Sequence, residues 1–291
     1  MLTNAGDGSF TVGAPLGVIH SPVPGSIFQA LGWTAADMDG DGLTDFEVAT
    51  TIGGQANGDG YHSIVLNRTL PGGPITLADS VSLITGDGSS FVIVHGDLDN
   101  DGDEDLVTSQ AKDHSIAVLL NDGSGIAGTM DSTTLSGRSG FGNRGLAVGD
   151  LNADGFADIA FLDPWGSGIS TNTVTVLLNL DGGTDSAKAG QFREDVAWAI
   201  GPQPPTGIAT RIAIGDFDRD GFNDLVSSFV GNVPGTGELS VLRASGPTET
   251  LVPGFDHHSM IVTDLEGDGD LDFASIDVFG QVLLITINTG F

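Results

Sequence analysis

Short apolar runs alternate with turn-forming stretches along the whole chain of 291 residues. The runs are rich in β-branched residues and are bounded by Gly, Asp and Asn, which is typical of strands rather than helices. In each unit one run precedes an acidic stretch, a second follows it directly, and a third comes shortly afterwards, as at 91–96, 106–109 and 116–121. A weaker fourth run leads into the next unit. The pattern predicts four strands per unit.

The acidic stretch is a nine-residue motif, D-x-[DNE]-x-D-G-x-x-D, that occurs five times at intervals of 48 to 66 residues. We name the copies loops 1 to 5; they occupy residues 37–45, 97–105, 150–158, 216–224 and 264–272. Units of this length, each with four strands, are typical of the blades of a β-propeller. The sequence therefore predicts an all-β fold, with one propeller domain of four-stranded antiparallel blades over residues 1–291.

Five motifs predict five blades, and the two ends of the chain suggest how the ring closes. Residues 282–288 supply only a third strand for the last unit, while residues 10–18 resemble a fourth strand that precedes loop 1. Exchange of this terminal strand would complete the fifth blade and close the ring. The same turn follows both Asn4 and Asn288, so the alternative is a unit cut from a longer array.

The acidic loops indicate calcium. Three or more carboxylates within nine residues repel one another unless a cation relieves the repulsion, and an all-oxygen ligand set favours Ca²⁺. Glycine at the sixth position permits a sharp turn at positive φ. An EF-hand is excluded because no loop has Glu at position twelve. The predicted ligands, with a backbone carbonyl at position seven, are Asp37, Asp39, Asp41, Leu43, Asp45, Asp97, Asp99, Asp101, Asp103, Asp105, Asp150, Asn152, Asp154, Phe156, Asp158, Asp216, Asp218, Asp220, Phe222, Asp224, Asp264, Glu266, Asp268, Asp270 and Asp272.

These loops resemble those of the FG-GAP/VCBS repeat family, which includes the propeller of integrin α-subunits. The matching features are the apolar strand ending in Gly-Asp, the acidic loop, and the Val-Leu-Leu-Asn strand at 118–121 and 176–179. The resemblance covers essentially the whole chain. It implies about five calcium ions, mainly structural, on one face of a propeller, and a protein or glycan ligand on the opposite face.

Composition narrows the function further. A formal net charge of −30 repels nucleic acid and anionic membranes, and the chain has no cysteine for disulfides or thiolate metal sites. Neither a signal peptide nor an apolar stretch of membrane-spanning length is found in the sequence. It also lacks a nucleophile elbow, a P-loop and a zinc motif, so we expect no enzyme activity.

The favoured function is a binding or adhesion module at an extracellular or cell-surface location, expected to be bacterial, acting as a monomer or within a larger multi-domain protein. Candidate ligand contacts are Tyr61, His62, Trp165 and His257, whereas Trp33 lies in an apolar run and is expected in the core. Two alternatives stay open: a propeller-based polysaccharide lyase or hydrolase, and a purely structural unit cut from a longer array.

Overall fold

A computed structural model of the chain shows an all-β arrangement. It describes residues 2–4, 10–12, 28–52, 60–78, 81–84, 90–110, 115–124, 131–135, 145–163, 173–180, 192–199, 207–231, 233–244, 249–277 and 279–289. Throughout these ranges the regular elements are strands, as the apolar pattern predicts. No helix in the described ranges has the length and apolar character needed to cross a bilayer.

Nineteen of the 21 strands form five antiparallel sheets, and within each sheet neighbours in sequence are neighbours in space. Sheet 1 contains β3 (Phe28–Thr34), β4 (Phe46–Ile52), β5 (Gly60–Val65) and β6 (Val81–Ile84). Sheet 2 contains β7 (Ser90–Gly96), β8 (Asp105–Gln110), β9 (Ser115–Leu120) and β10 (Asp131–Leu135). Sheet 3 contains β11 (Leu146–Gly149), β12 (Asp158–Asp163), β13 (Thr173–Asn179) and β14 (Phe192–Ala199). Sheet 4 contains β15 (Gly207–Gly215), β16 (Asp224–Gly231), β17 (Glu238–Leu242) and β18 (Glu249–Pro253), and sheet 5 contains β19 (His257–Thr263), β20 (Asp272–Asp277) and β21 (Val282–Thr286).

Each acidic loop joins the first strand of its sheet to the second. Because successive connections in an antiparallel sheet alternate between its two ends, every loop lies at the corresponding end of its own sheet. The repeat in the sequence is therefore a repeat of one structural unit, with its acidic residues in one place.

The sheets pack face to face in chain order, and four apolar clusters lie between them. Leu106 of sheet 2 packs with Ile64 of sheet 1, and Phe161 of sheet 3 packs with Val118 of sheet 2. The same arrangement joins sheets 3 and 4 and then sheets 4 and 5, where Phe273 packs on Phe217 with ring centroids 5.0 Å apart. Alternate residues of a strand face opposite sides of its sheet, so a middle sheet buries both of its faces.

An asparagine at or just after the end of the third strand fastens sheets 2, 3 and 5 to the sheet that precedes each of them. The side-chain nitrogen of Asn121 donates to Met38 O at 2.8 Å, and that of Asn179 donates to Leu98 O at 2.7 Å. In both pairs the acceptor is the second residue of the preceding acidic loop. Sheet 5 repeats the contact, with Asn288 Nδ2 donating to Phe217 O at 2.8 Å. We call this contact the asparagine latch.

The two ends of the chain differ from the expected ring closure. β2 (Phe10–Val12) pairs with β1 (Leu2–Asn4) and not with β21, so sheet 5 has three strands. A hairpin between neighbouring segments costs less loop-closure entropy than a pairing across the whole chain, which explains why this local partner is preferred to the predicted exchange. Among the described residues, none of the four apolar clusters joins sheet 5 to sheet 1.

Candidate metal centres

The five acidic loops share one backbone conformation. The glycine at position six has a positive φ in every loop, from 85° at Gly42 to 97° at Gly102, as the motif predicts. Position four is also left-handed, which we did not predict. Its occupants are Gly40, Asn100, Ala153, Arg219 and Gly267. Only the Gly and Asn at three of these positions hint at it, because these residues tolerate this conformation best.

The aspartate at position one holds the turn together. In loop 1, Asp37 accepts hydrogen bonds from the backbone N–H of Asp41 at 3.1 Å and from that of Gly42 at 2.8 Å. Asp97 in loop 2 accepts the same two bonds, each at 3.1 Å. The equivalent residues Asp150, Asp216 and Asp264 repeat this pattern. The turn is thus formed by the protein's own hydrogen bonds before any ion is considered.

The aspartate at position nine is buried and anchors the loop to the sheet. Asp105 accepts from Leu98 N at 2.8 Å and from Asn121 N at 2.7 Å, so each oxygen meets one backbone donor. Burial raises the pKa of Asp105 to about 7 against these two bonds, and it raises the pKa of Asp158 to about 6. The pKa values of Asp45 and Asp224 are raised for the same reason.

Within each of four loops, carboxylates converge closely enough to hold one ion per loop. In each set the oxygen atoms lie within 4.8 Å of one another; the sets are Asp37, Asp39 and Asp45; Asp97, Asp99 and Asp101; Asp216, Asp218 and Asp224; and Glu266, Asp268 and Asp270. Loop 3 has Asn152 at the third position, with its side-chain nitrogen 2.9 Å from Asp154 Oδ2. The carbonyls predicted at position seven remain a prediction.

Three of the loops contain buried carboxylate oxygens without a hydrogen-bond partner. They are Asp39 Oδ1, Asp99 Oδ1 and both oxygens of Asp270, although Oδ2 of Asp270 lies 3.1 Å from the guanidinium of Arg219 in an ion pair. Burial and the neighbouring negative charge of Asp101 raise the pKa of Asp99 to about 6. A buried oxygen without a donor is costly, whereas a hard cation bound to several carboxylate oxygens would remove that cost. The donor set therefore fits Ca²⁺.

Comparison with known proteins identifies the central part of the chain. The model of the FG-GAP-like repeat family matches residues 97–161, a range that includes loops 2 and 3. This part of the chain is therefore similar to an FG-GAP-like repeat. Among solved structures, the V. cholerae biofilm matrix protein Bap1 matches with 19% identity and a TM-score of 0.38, over 82% of this chain and 41% of that chain. The chain thus spans about two fifths of the length of Bap1.

Arginine side chains distinguish loops 1, 4 and 5 from loops 2 and 3, which lie in the range that the family model matches. Arg68 contacts Asp39 and lies 2.9 Å from Asp41 Oδ2 in loop 1. Arg243 pairs with Asp218 in loop 4, and Arg219 of loop 4 reaches Asp270 of loop 5 at 3.1 Å. In the described part of the chain, no Lys or Arg pairs with the acidic residues of loops 2 and 3. The sequence analysis did not predict these contacts. Arg68 and Arg243 lie outside the loops that they contact, and Arg219 occupies position four of loop 4, which the motif leaves variable.

The residues predicted to bind a ligand do not form a surface site. Tyr61, His62 and His257 are buried, because they lie on strands of packed sheets and not on loop tips. His62 Nδ1 lies 2.7 Å from Glu47 Oε1, and His257 Nδ1 lies 2.7 Å from Ser275 Oγ. Trp165 is outside the described residues. The prediction of surface contacts is therefore wrong for the first three.

Proposed function

We propose that this chain is a calcium-stabilised binding module of the β-propeller type, which recognises a protein or glycan at an extracellular or bacterial cell surface. The observation that carries the proposal is the convergence of carboxylate oxygens within each of four acidic loops. In three of these loops, buried carboxylate oxygens lack a hydrogen-bond donor. Extracellular calcium concentrations suit sites of modest affinity, which favours this location.

Calcium would act on stability through the loops. Each ion would be held by the carboxylates that converge in its loop, such as Asp37, Asp39 and Asp45 in loop 1. Of these, Asp37 and Asp45 already accept backbone hydrogen bonds. Five ions would add ten positive charges and reduce the formal charge from −30 to −20. Because the ligands belong to the folded arrangement, binding to the folded state would raise the free energy of unfolding.

Metal content and thermal unfolding test this role. The protein is equilibrated with excess Ca²⁺, dialysed and analysed for bound metal, and its melting temperature is measured before and after EDTA. We expect several ions per chain and a melting temperature that falls by more than about 10 °C on chelation, since a few kcal/mol corresponds to shifts of this size. Ion-free protein, or an unchanged melting curve after confirmed metal removal, would contradict the proposal.

Recognition is assigned to the ends of the sheets opposite the acidic loops. The acidic loops occupy the connections between first and second strands, and rigid calcium sites at one end leave the connections at the other end free to vary. Loops held by a rigid scaffold are where binding residues concentrate. Binding is tested on glycan and protein arrays with calcium-loaded protein. Replacement of the connection at 53–59 by a short Gly-Ser loop should abolish a hit, whereas equal replacement at 70–75, on the calcium end, should not.

We expect this chain to bind a ligand and not to catalyse a reaction on it. A broad panel of acidic and neutral polysaccharides, incubated with calcium-loaded protein, should yield no shortened product. Product formation that disappears when the connection at 164–172 is replaced would favour the polysaccharide lyase or hydrolase instead.

A further inference from the structure

One side of sheet 5 is apolar and uncovered. Leu283 is 64% exposed and Ile285 is 58% exposed, and both lie on β21. Their cross-strand partners Ile276 and Ala274 share this side, and Ile276 is 51% exposed. The opposite side of the same sheet is buried, because Phe273 packs against sheet 4. Clusters of exposed apolar residues on one face mark interaction sites.

The repeat shows what this side normally contacts. Leu283 and Ile285 are five and three residues before Asn288, and the equivalent residues before Asn121 are Ile116 and Val118. Both Ile116 and Val118 are fully buried, in the cluster between sheets 2 and 3. The corresponding residues of sheets 3 and 4 are also buried against the sheet that follows: Val174, Val176, Leu239 and Val241. We call the side of a sheet that packs against the next sheet in the chain its leading side, and the side that packs against the preceding sheet its following side. The exposed side of sheet 5 is thus a leading side, equivalent to those buried in the internal interfaces.

Sheet 1 presents the other half. At each interface the following sheet contributes the residue four positions before its acidic loop and the residue directly after it. In sheets 2 to 5 these residues are Ile93 and Leu106, Leu146 and Ile159, Ile212 and Leu225, and Met260 and Phe273, all within the inter-sheet clusters. In sheet 1 they are Trp33, which is 71% exposed, and Phe46, which is 38% exposed. The expectation that Trp33 belongs to the core of the single chain is therefore wrong, because none of the four inter-sheet clusters of the described residues includes it.

The asparagine latch is divided between the same two ends. Asn67 of sheet 1 is equivalent to Asn121, and its side-chain nitrogen donates to Thr44 O within its own loop. Asn121 makes the same local bond to Glu104 O and in addition donates to the preceding loop. Among the described residues Asn67 has no such inter-sheet acceptor. The equivalent acceptor after sheet 5 is the carbonyl of Leu265, at position two of loop 5.

We propose that a second copy of this chain covers sheet 5, with its sheet 1 packed against Leu283 and Ile285 and its Asn67 donating to Leu265 O. The partner is a copy of the same chain because the described residues contain one exposed leading side and one exposed following side, and these match the two halves of the internal interfaces. The contact is head-to-tail, so it leaves one free side of each kind and continues into rings or filaments.

Complementary variants test the contact in calcium-loaded protein by sedimentation over two decades of concentration. The wild type should form concentration-dependent oligomers. Leu283→Asp and Trp33→Asp should each weaken self-association by about 100-fold or more, because each removes a central apolar anchor and buries a charge. Val233→Asp is the matched control, since Val233 is 61% exposed in the connection between β16 and β17 of sheet 4 and lies on neither sheet 1 nor sheet 5, and should associate like the wild type.

Mixing the two end variants gives the sharpest readout. Each variant retains one intact side, so an equimolar mixture of Leu283→Asp and Trp33→Asp should form dimers and nothing larger. Circular dichroism and melting curves confirm that each variant is folded. A wild type that is monomeric at every concentration would overturn the proposal. If, in addition, both end variants melted well below Val233→Asp, the two sides would meet within one chain as a closed ring.

Discussion

Loops 1 and 2 have the same motif and the same backbone hydrogen bonds, but they differ in the charges beside their carboxylates. Arg68 places a guanidinium beside Asp39 and Asp41 in loop 1. Loop 2 has a further carboxylate, Asp103, whose pKa is raised by burial and by its acidic neighbours. The fixed positions of the motif therefore determine the backbone of the site, whereas a variable position such as that of Asp103, and residues outside the loop such as Arg68, change its charge. Loop 1 thus carries part of its own counter-charge, and we expect loop 2 to depend more on a bound ion if calcium binds as proposed.

The largest expected effect concerns what the two loops share. Asp45→Ala and Asp105→Ala each remove the acceptor of two backbone N–H groups. Unpaired buried donors cost about 1–3 kcal/mol each, so each variant should lose about 2–6 kcal/mol in the free energy of unfolding, measured by urea denaturation with calcium present. The loss should be similar in both loops despite Arg68. A loss confined to loop 2 would show that the closing aspartate has different roles in the two loops.

Much of this arrangement could be predicted from the sequence, and its omissions have physical reasons. The strands and Gly42 at positive φ follow from local patterns, because apolar alternation and turn chemistry act over a few residues. The asparagine latch and the pairing of Arg68 with loop 1 join residues far apart in sequence, and no local pattern predicts them. The surface role expected for His62 is wrong, since His62 is buried on β5. Histidine occurs both in exposed loops and in buried strands, so the residue type alone does not predict its exposure.

The fate of the terminal strands shows the same limit. Residues 10–12 have the composition of a fourth strand, as predicted, but they pair with β1. Composition indicates that a segment is a strand, whereas the choice of partner depends on which edge is near. Each motif lies within one sheet, so counting motifs gives the number of sheets that contain one. A motif carries no information on which sheets contact each other, so the count does not decide whether the sheets close a ring.

A smaller effect is expected from pH in calcium-free protein. Burial raises the pKa of Asp105 to about 7, from 3.8. Between these values the folded state retains a proton that the unfolded state has lost, so the free energy of unfolding contributed by this group falls as pH rises from about 4 to about 7. The melting temperature of EDTA-treated wild type should therefore fall more between pH 5 and pH 8 than that of Asp105→Asn, which cannot ionise there.

Two controls make the pH experiment specific to loop 2. Saturating calcium should reverse the trend for the wild type, because the ion binds the ionised carboxylates. Asp45→Asn in loop 1 should change the pH dependence less than Asp105→Asn. Identical slopes for wild type and Asp105→Asn without calcium would show that the closing aspartate of loop 2 ionises normally, and the contrast between the two loops would then rest on Arg68 alone.

The smallest expected effect isolates Arg68. Its positive charge lies beside the carboxylates that would bind the ion, and one unit charge at such a distance contributes about 1–3 kcal/mol in a partly solvated site. Arg68→Gln should therefore strengthen calcium binding at loop 1 by about tenfold or more. Because five loops titrate together, the readout must be specific to each loop, and the backbone amides of Gly42 and Gly102 provide it in NMR titrations. Only the midpoint for Gly42 should move. Arg193→Gln removes the same charge from sheet 3 and should move neither. A weaker site in Arg68→Gln would mean that the guanidinium orients Asp39 and Asp41 for the ion instead of competing with it, and loop 1 would then depend on calcium as much as loop 2 does.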